Sequence, residues 1–75
     1  MTKLPVVDAA RLLRALRRAG FRVDRTSGSH YMLVHAGNPA RRVTLPFHRG
    51  DLKPATLRSI LRQADLTTDE LIGLL

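Results

Sequence analysis

Hydrophobic residues recur every three or four positions in the first part of the chain, as they do on the buried side of a helix. The residues with this spacing are Ala9, Leu12, Leu13 and Leu16. They predict an amphipathic helix over residues 9–19, with Asp8 as its N-cap and Gly20 as its end. The polar side of this helix carries a cluster of arginines: Arg11, Arg14, Arg17 and Arg18. The segment before it, residues 1–7, is interrupted by Pro5 and is predicted to lie outside the helix.

The spacing changes to alternation at Phe21. Apolar and charged residues alternate over 21–25, which predicts a strand with Phe21 and Val23 pointing inward. Further strands are predicted over 29–35 and 41–45, joined by turns at Ser27-Gly28 and over residues 36–39. Both faces of the second strand are apolar, so the pattern leaves open which face is buried. Three consecutive strands with short connections predict an antiparallel meander.

Helical spacing returns after a loop over residues 46–51, where Pro46 lacks the amide that a central strand needs. Pro54 fits the first turn of a helix. The apolar residues that follow at helical spacing are Leu57, Ile60, Leu61 and Ala64. Thr67 and Glu70 match a capping box that starts a short third helix. The order predicts one α+β domain over residues 1–75, a two-layer sandwich with both main helices on one face of the sheet.

The layer between the sheet and the helices is predicted to hold one hydrophobic core. Its expected members are Leu12, Leu16, Phe21, Val23, Leu33, Val43, Leu57, Ile60 and Leu61. A chain of 75 residues buries only about 60% of its unfolded surface. We therefore expect function on an outer face or in a shallow groove, and no large internal pocket.

Positive charge dominates the chain, with 13 Lys and Arg against 6 Asp and Glu and a formal net charge of +7. Such a balance on a small domain predicts a polyanionic partner, with nucleic acid first and an acidic protein as the alternative. The basic residues are dispersed between Arg11 and Arg62 without a long run. The charge is therefore expected on a folded surface and not on a tail.

The residue types present argue against several classes of site. The sequence has no cysteine, so disulfides and thiolate metal sites are excluded. Its carboxylates are scattered along the chain, at Asp8, Asp24, Asp51, Asp65, Asp69 and Glu70. We therefore predict neither a metal nor another cofactor. The charges in the first twenty residues fit neither a signal peptide nor a membrane span, so we expect a cytoplasmic protein.

His30 is the strongest candidate for chemistry, because it follows the turn at Ser27-Gly28 and begins a strand. The strand would fix the imidazole while the turn leaves space for a substrate. An imidazole can take or give a proton near neutral pH. The alternative is a partly exposed polar side chain at the start of a strand. His48 is a second candidate for proton transfer, although a loop histidine bonded to backbone is the favoured interpretation, and His35 is interpreted as structural.

Several sequence blocks follow one another over residues 4–75. They are Gly20-Phe21, Gly28-Ser29-His30, Arg42 to Pro46 with His48, Asp51 to Pro54, and Thr56 to Ala64. In content, order and spacing these blocks resemble the HicA family of toxins. The resemblance implies a double-stranded-RNA-binding-domain-like fold and the toxin role in a type II toxin–antitoxin system. It also implies cleavage of mRNA and neutralisation by a cognate HicB-like antitoxin.

The resemblance further implies roles for particular residues. His30 matches the histidine required for RNA cleavage, and Gly28 and Ser29 match the turn that presents it. Two positions depart from the family pattern. Tyr31 stands where many members have a second histidine, and Asp65 stands where a glycine often closes the second main helix.

RNA carries its own nucleophile, the 2′-hydroxyl, so cleavage needs only proton transfer, alignment and stabilisation of phosphate charge. We therefore predict a metal-independent endoribonuclease with His30 as its catalytic residue. The residues predicted to bind RNA are Gly28, Ser29, Arg25, Arg42, Arg49 and Lys53. Two alternatives remain open at this point: a non-enzymatic double-stranded-RNA-binding module, and a regulatory protein whose basic surface docks an acidic partner.

Overall fold

The computed structural model describes residues 2–75, so Met1, the first residue of the predicted N-terminal segment, lies outside the described part. The elements in chain order are α1 (Ala9–Arg18), β1 (Phe21–Ser27), β2 (His30–His35), β3 (Asn38–Pro46), α2 (Pro54–Ala64) and α3 (Thr68–Leu74). The three strands form one sheet in the order β1-β2-β3, with antiparallel pairing throughout. The predicted α+β sandwich, with the element order of double-stranded-RNA-binding domains, is confirmed.

Local interactions start α1 and α3 where the sequence predicted, whereas α1 ends at Arg18, just short of the predicted range 9–19. Asp8 caps α1, because its carboxylate accepts the backbone N–H of Arg11 at 2.8 Å. The capping box of α3 is present, with the Thr67 hydroxyl accepting the Glu70 N–H and the Glu70 carboxylate accepting the Thr67 N–H. The bond from the Thr67 backbone is the main cause that lowers the pKa of Glu70 below its ordinary value. Within residues 2–75, no helix has both the length and the apolar character needed to cross a membrane.

The first and third strands are longer than predicted. β3 covers Asn38–Pro46 and not only residues 41–45, so the preceding turn shrinks to Ala36-Gly37. Prolines are accepted in this strand because β3 lies at the edge of the sheet and pairs on one side only. β1 continues to Ser27 past an irregularity between Val23 and Arg25, where an extra residue enters the ladder.

The core lies between the helices and one face of the sheet. Of the predicted core residues, all are buried except Val23, which is partly buried and packs against the same cluster. Leu33 is buried in this cluster and Tyr31 packs against it, which settles which face of β2 meets the helices. The cluster also holds residues that the pattern did not single out as core, including Val7, Leu45 and Leu71.

The opposite face of the sheet carries His30, Met32 and Val34. Val34 is buried there although it is outside the helix-facing cluster. Its partners in the sheet register are Arg22 and Arg42, whose aliphatic stems are positioned to cover it. The open face is therefore basic and has little exposed apolar surface.

Candidate functional site

A tight turn brings His30 to the start of β2. Ser27 and His30 are directly paired across it, and Gly28 has a φ of +58°, a conformation that residues with a side chain rarely adopt. A Cβ at position 28 would meet nothing within 4 Å, so backbone conformation and not crowding requires glycine here. His30 is exposed. Within residues 2–75 its ring takes part in no hydrogen bond.

Of the predicted phosphate-binding residues on the sheet, Arg25 is near His30 and Arg42 is farther away. Arg25 pairs with Met32, so it is a diagonal neighbour of His30 on the same face, at about 7 Å. Arg42 pairs with Val34, four residues along β2 from His30 and therefore at about 13 Å. Arg42 also forms an exposed ion pair with Asp24 at 3.6 Å, which contributes little stability.

A groove of about 330 Å³ lies beside the strand partner of His30. The residues that line it include Pro46, His48, Arg49, Asp51, Lys53 and Thr56. Pro46 is the residue directly opposite His30 in the sheet, so the groove adjoins the strand partner of His30, whereas His30 itself does not line it. Lys53 occupies the N-cap position of α2 without a side-chain capping bond, and the adjoining helix end carries partial positive charge. The groove therefore gathers Arg49 and Lys53, two of the residues predicted to bind RNA, together with His48.

An aromatic pair fixes the start of this groove to β2. The ring of Phe47 stacks on that of Tyr31, with centroids 4.6 Å apart and an interplanar angle of 22°. The Phe47 backbone N–H donates to the carbonyl of Ser29 at 2.6 Å, and both rings pack against the core. The sequence marks Tyr31 only as a departure from the family pattern, and the hydrophobic pattern does not single out Phe47. The signal lay in the strand register, because Tyr31 opposes Leu45 and Phe47 follows two residues later on the same face.

His35, at the other end of β2, is structural as predicted. Its Nε2 lies 3.0 Å from the carbonyl oxygen of Ala19, and its Nδ1 accepts the N–H of Gly37 at 3.0 Å. These bonds assign the proton to Nε2 and describe a neutral ring. Phe21 meets the ring edge-on at 5.1 Å. Gly20 makes this packing possible, because a Cβ there would stand 2.8 Å from His35 Nε2 and its φ is +100°.

Arg41 is a basic residue whose side chain the fold holds in place, and its neighbours in the sequence do not predict this. Its guanidinium lies 5.4 Å from the centroid of the Phe21 ring and donates to the carbonyl of Ala64. Its Nε is buried and has no hydrogen-bond partner within residues 2–75. Arg41 therefore links β3 to the end of α2, and not every arginine of this chain is free for a polyanion.

No group of three or more His, Asp or Glu side chains in the described part of the chain is arranged to hold a metal ion. The candidate site consists of an exposed histidine, the turn that carries it and a basic groove.

The chain folds as a small basic α+β domain with the element order of double-stranded-RNA-binding domains. A family model described as the HicA toxin of bacterial toxin–antitoxin matches residues 9–66. The match covers well over half of the chain and includes both main helices and all three strands, so the chain belongs to the HicA toxin family. It is a toxin of a toxin–antitoxin system, and this membership implies an antitoxin partner. A search of curated proteins finds no match.

Proposed function

We propose that this toxin is an endoribonuclease that cleaves mRNA without a metal ion and uses His30 for proton transfer. The observation that carries the proposal is the state of that ring, exposed and without a hydrogen bond among the described residues, beside Arg25 and the groove that holds Arg49 and Lys53. A ring in this position can approach a bound phosphodiester. Family membership supports the toxin role, and the chemistry is our inference from the site.

The reaction needs two proton transfers around one phosphorus atom. The 2′-oxygen of the RNA attacks the adjacent phosphorus as its proton is removed, and the P–O bond to the 5′-oxygen breaks as that oxygen gains a proton. The products are a 2′,3′-cyclic phosphate and a 5′-hydroxyl end. His30 performs one of these transfers. Neighbouring cations stabilise the charge that develops on the non-bridging oxygens.

Phosphate contacts are assigned to residues around His30. Arg25 adjoins it on the sheet, Arg49 and Lys53 line the groove, and the turn at Gly28-Ser29 offers backbone groups to the same substrate. Arg42, about 13 Å along the open face, is placed for a phosphate farther along the strand once its exposed pairing with Asp24 is exchanged.

A HicB-like antitoxin is proposed to neutralise the toxin by covering His30 and the basic surface around it. An acidic antitoxin surface would complement the cations at this site. The whole chain, residues 1–75, acts in this proposal as one domain, and an mRNA substrate places its action in the cytoplasm.

The test is incubation of the purified toxin with one transcript in a buffer that contains a chelator. We expect cleavage, and we expect 2′,3′-cyclic phosphate ends on the products. Salt-sensitive binding to duplex RNA without cleavage would replace the proposal with the RNA-binding module. Tight binding to an acidic protein with no RNA affinity would replace it with the docking protein.

A further inference from the structure

We propose that His48 is the second proton-transfer residue of the cleavage reaction and works together with His30. This inference rests on the proposed ribonuclease function. It assigns a role to the one loop histidine, for which the sequence favoured a hydrogen bond to backbone. Within the described residues His48 is exposed and its ring makes no such bond.

The strand register limits the separation of the two histidines. Pro46 lies directly opposite His30, which places their Cα atoms about 5 Å apart. His48 is two residues further on, and each residue extends the chain by at most about 3.6 Å. The Cα atoms of His30 and His48 therefore stay within about 13 Å, close enough for two imidazoles to flank one phosphodiester.

Both neighbours of His30 hold the residue that precedes His48. Ser29 accepts the backbone N–H of Phe47 at 2.6 Å, and Tyr31 stacks on the Phe47 ring at 4.6 Å. The start of the loop, at Phe47, is thus anchored to the two residues that flank His30. His48 follows directly in the chain, so the anchored Phe47 limits how far the backbone of His48 can lie from the His30 end of β2.

The surroundings of His48 suit a phosphate. The groove that it lines brings Arg49 and Asp51 from the same loop and Lys53 from the start of α2, while Arg25 stands beside His30 on the sheet. Charge-assisted hydrogen bonds from Arg25, Arg49 and Lys53, and not from the Asp51 carboxylate, would hold the non-bridging oxygens between the two rings.

The chemistry requires two groups in complementary states. One ring removes the proton of the 2′-hydroxyl as the new P–O bond forms, and the other ring gives a proton to the departing 5′-oxygen. After the step the first ring carries a proton and the second has lost one. His35 is not available for this work, because both of its ring nitrogens are engaged at the other end of β2.

The experiment compares two substrates that differ by one atom. The first is an ordinary RNA oligonucleotide, and the second has sulfur in place of the bridging 5′-oxygen at one phosphodiester. A thiolate leaves without needing a proton, so a variant that lacks only the general acid recovers on the sulfur substrate. The proteins are wild type, His30→Ala, His48→Ala and His48→Gln, each matched by circular dichroism, with Arg62→Gln as a control for the loss of one exposed charge.

We expect both His48 variants to cleave ordinary RNA roughly 10²- to 10⁴-fold more slowly than wild type, and Arg62→Gln to cleave at the wild-type rate. On the sulfur substrate one histidine position, 30 or 48, should recover and the other should stay slow. Wild-type rates for the His48 variants on ordinary RNA, or recovery at neither position, would overturn the role of His48. A wild-type protein that cleaves neither substrate would instead contradict the ribonuclease function itself.

Discussion

The two ends of β2 each carry a histidine, and the two rings differ in burial and in hydrogen bonding. His35 is partly buried, and its nitrogens bond to Ala19 and Gly37. His30 is exposed, and within residues 2–75 nothing bonds to its ring. The same residue type is therefore part of the structure at one end of the strand and free for chemistry at the other.

Backbone groups explain the difference. At the His35 end, the carbonyl of Ala19 and the N–H of Gly37 take the ring as their partner. At the His30 end, the ladder and the bond from Phe47 to Ser29 satisfy the backbone without the side chain. A free imidazole is left where the fold does not need it, so this ring can meet a substrate at the turn.

The largest expected effect is on cleavage and comes from His30→Ala. We expect the rate to fall roughly 10²- to 10⁴-fold, because one proton transfer is lost. The fold and the affinity for the antitoxin should stay near wild type, since an exposed ring contributes little packing. A gel assay with one transcript, circular dichroism and antitoxin titration measure these three quantities. Equal cleavage rates would move the catalytic assignment away from His30.

The complementary change at the other end, His35→Ala, should affect stability and not chemistry. Loss of the two ring hydrogen bonds and the contact with Phe21 should lower the free energy of unfolding by about 1 to 3 kcal/mol. Gly20→Ala should act in the same direction, because its Cβ would crowd Nε2 and its φ is positive. Urea unfolding measures both. Full stability of His35→Ala would contradict the structural role.

Phe47 variants test the connection between the groove and β2. Phe47→Leu removes the stacked ring and should lower cleavage roughly tenfold, because a small displacement of the loop misplaces its groups. Phe47→Tyr keeps the ring and should retain activity. Val23→Ala is the matched control, as it trims another partly buried residue of the same core outside the loop. Equal losses in Phe47→Leu and Val23→Ala would reduce the aromatic pair to general packing.

A smaller effect is expected on the salt dependence of RNA binding. Each phosphate contact contributes about 0.7 to the slope of log affinity against log salt for single-stranded RNA. Arg25→Gln should therefore reduce the slope by about that amount, whereas Arg41→Gln should leave it unchanged because Arg41 is held by Ala64 and Phe21. Filter-binding titrations over a range of salt concentrations measure this slope for each variant. Equal slopes for wild type and Arg25→Gln would remove Arg25 from the interface.

The smallest effect concerns acid stability at the His35 end, where Glu70 and Ala19 line the same groove. Because hydrogen bonds from Thr67 lower the folded-state pKa of Glu70, its contribution to stability is present above the unfolded-state pKa. That contribution is lost as the pH falls through the lower, folded value. Glu70→Gln should flatten this part of the stability curve against pH, while cleavage at neutral pH stays unchanged. Identical curves for the two proteins would contradict it.

Much of the fold could be predicted because each element carries a local signal. Helical spacing gave α1 and α2, and Asp8 and Thr67 have side chains that bond to nearby backbone. The alternating pattern alone could not decide the buried face of β2, since Val34 is as apolar as Leu33; the expected core residue Leu33 is confirmed, and Val34 is buried outside the helix-facing cluster. The length of β3 was also missed, because proline excludes only central strands and the edge position is a tertiary property.

The candidate site likewise has features that local sequence predicts and features that depend on the tertiary structure. The turn at Gly28 could be predicted from sequence alone, because a turn depends on local backbone geometry, and it places His30 at an exposed position. The pairing of Tyr31 with Phe47 depends on the register between β2 and β3, which no short stretch of sequence contains. The hydrogen bond from Arg41 to the Ala64 carbonyl depends on the position of α2, so the residues next to Arg41 in the sequence do not predict it.

One assay tests the contrast between the two histidines most directly. The cleavage rates of His30→Ala and His35→Ala are measured on the same transcript in chelator, each divided by the folded fraction from circular dichroism. We predict that His35→Ala cleaves at nearly the wild-type rate per folded molecule and exceeds His30→Ala by roughly 10²- to 10⁴-fold. A ratio near one would contradict the assignment of chemistry to one end of β2 and structure to the other.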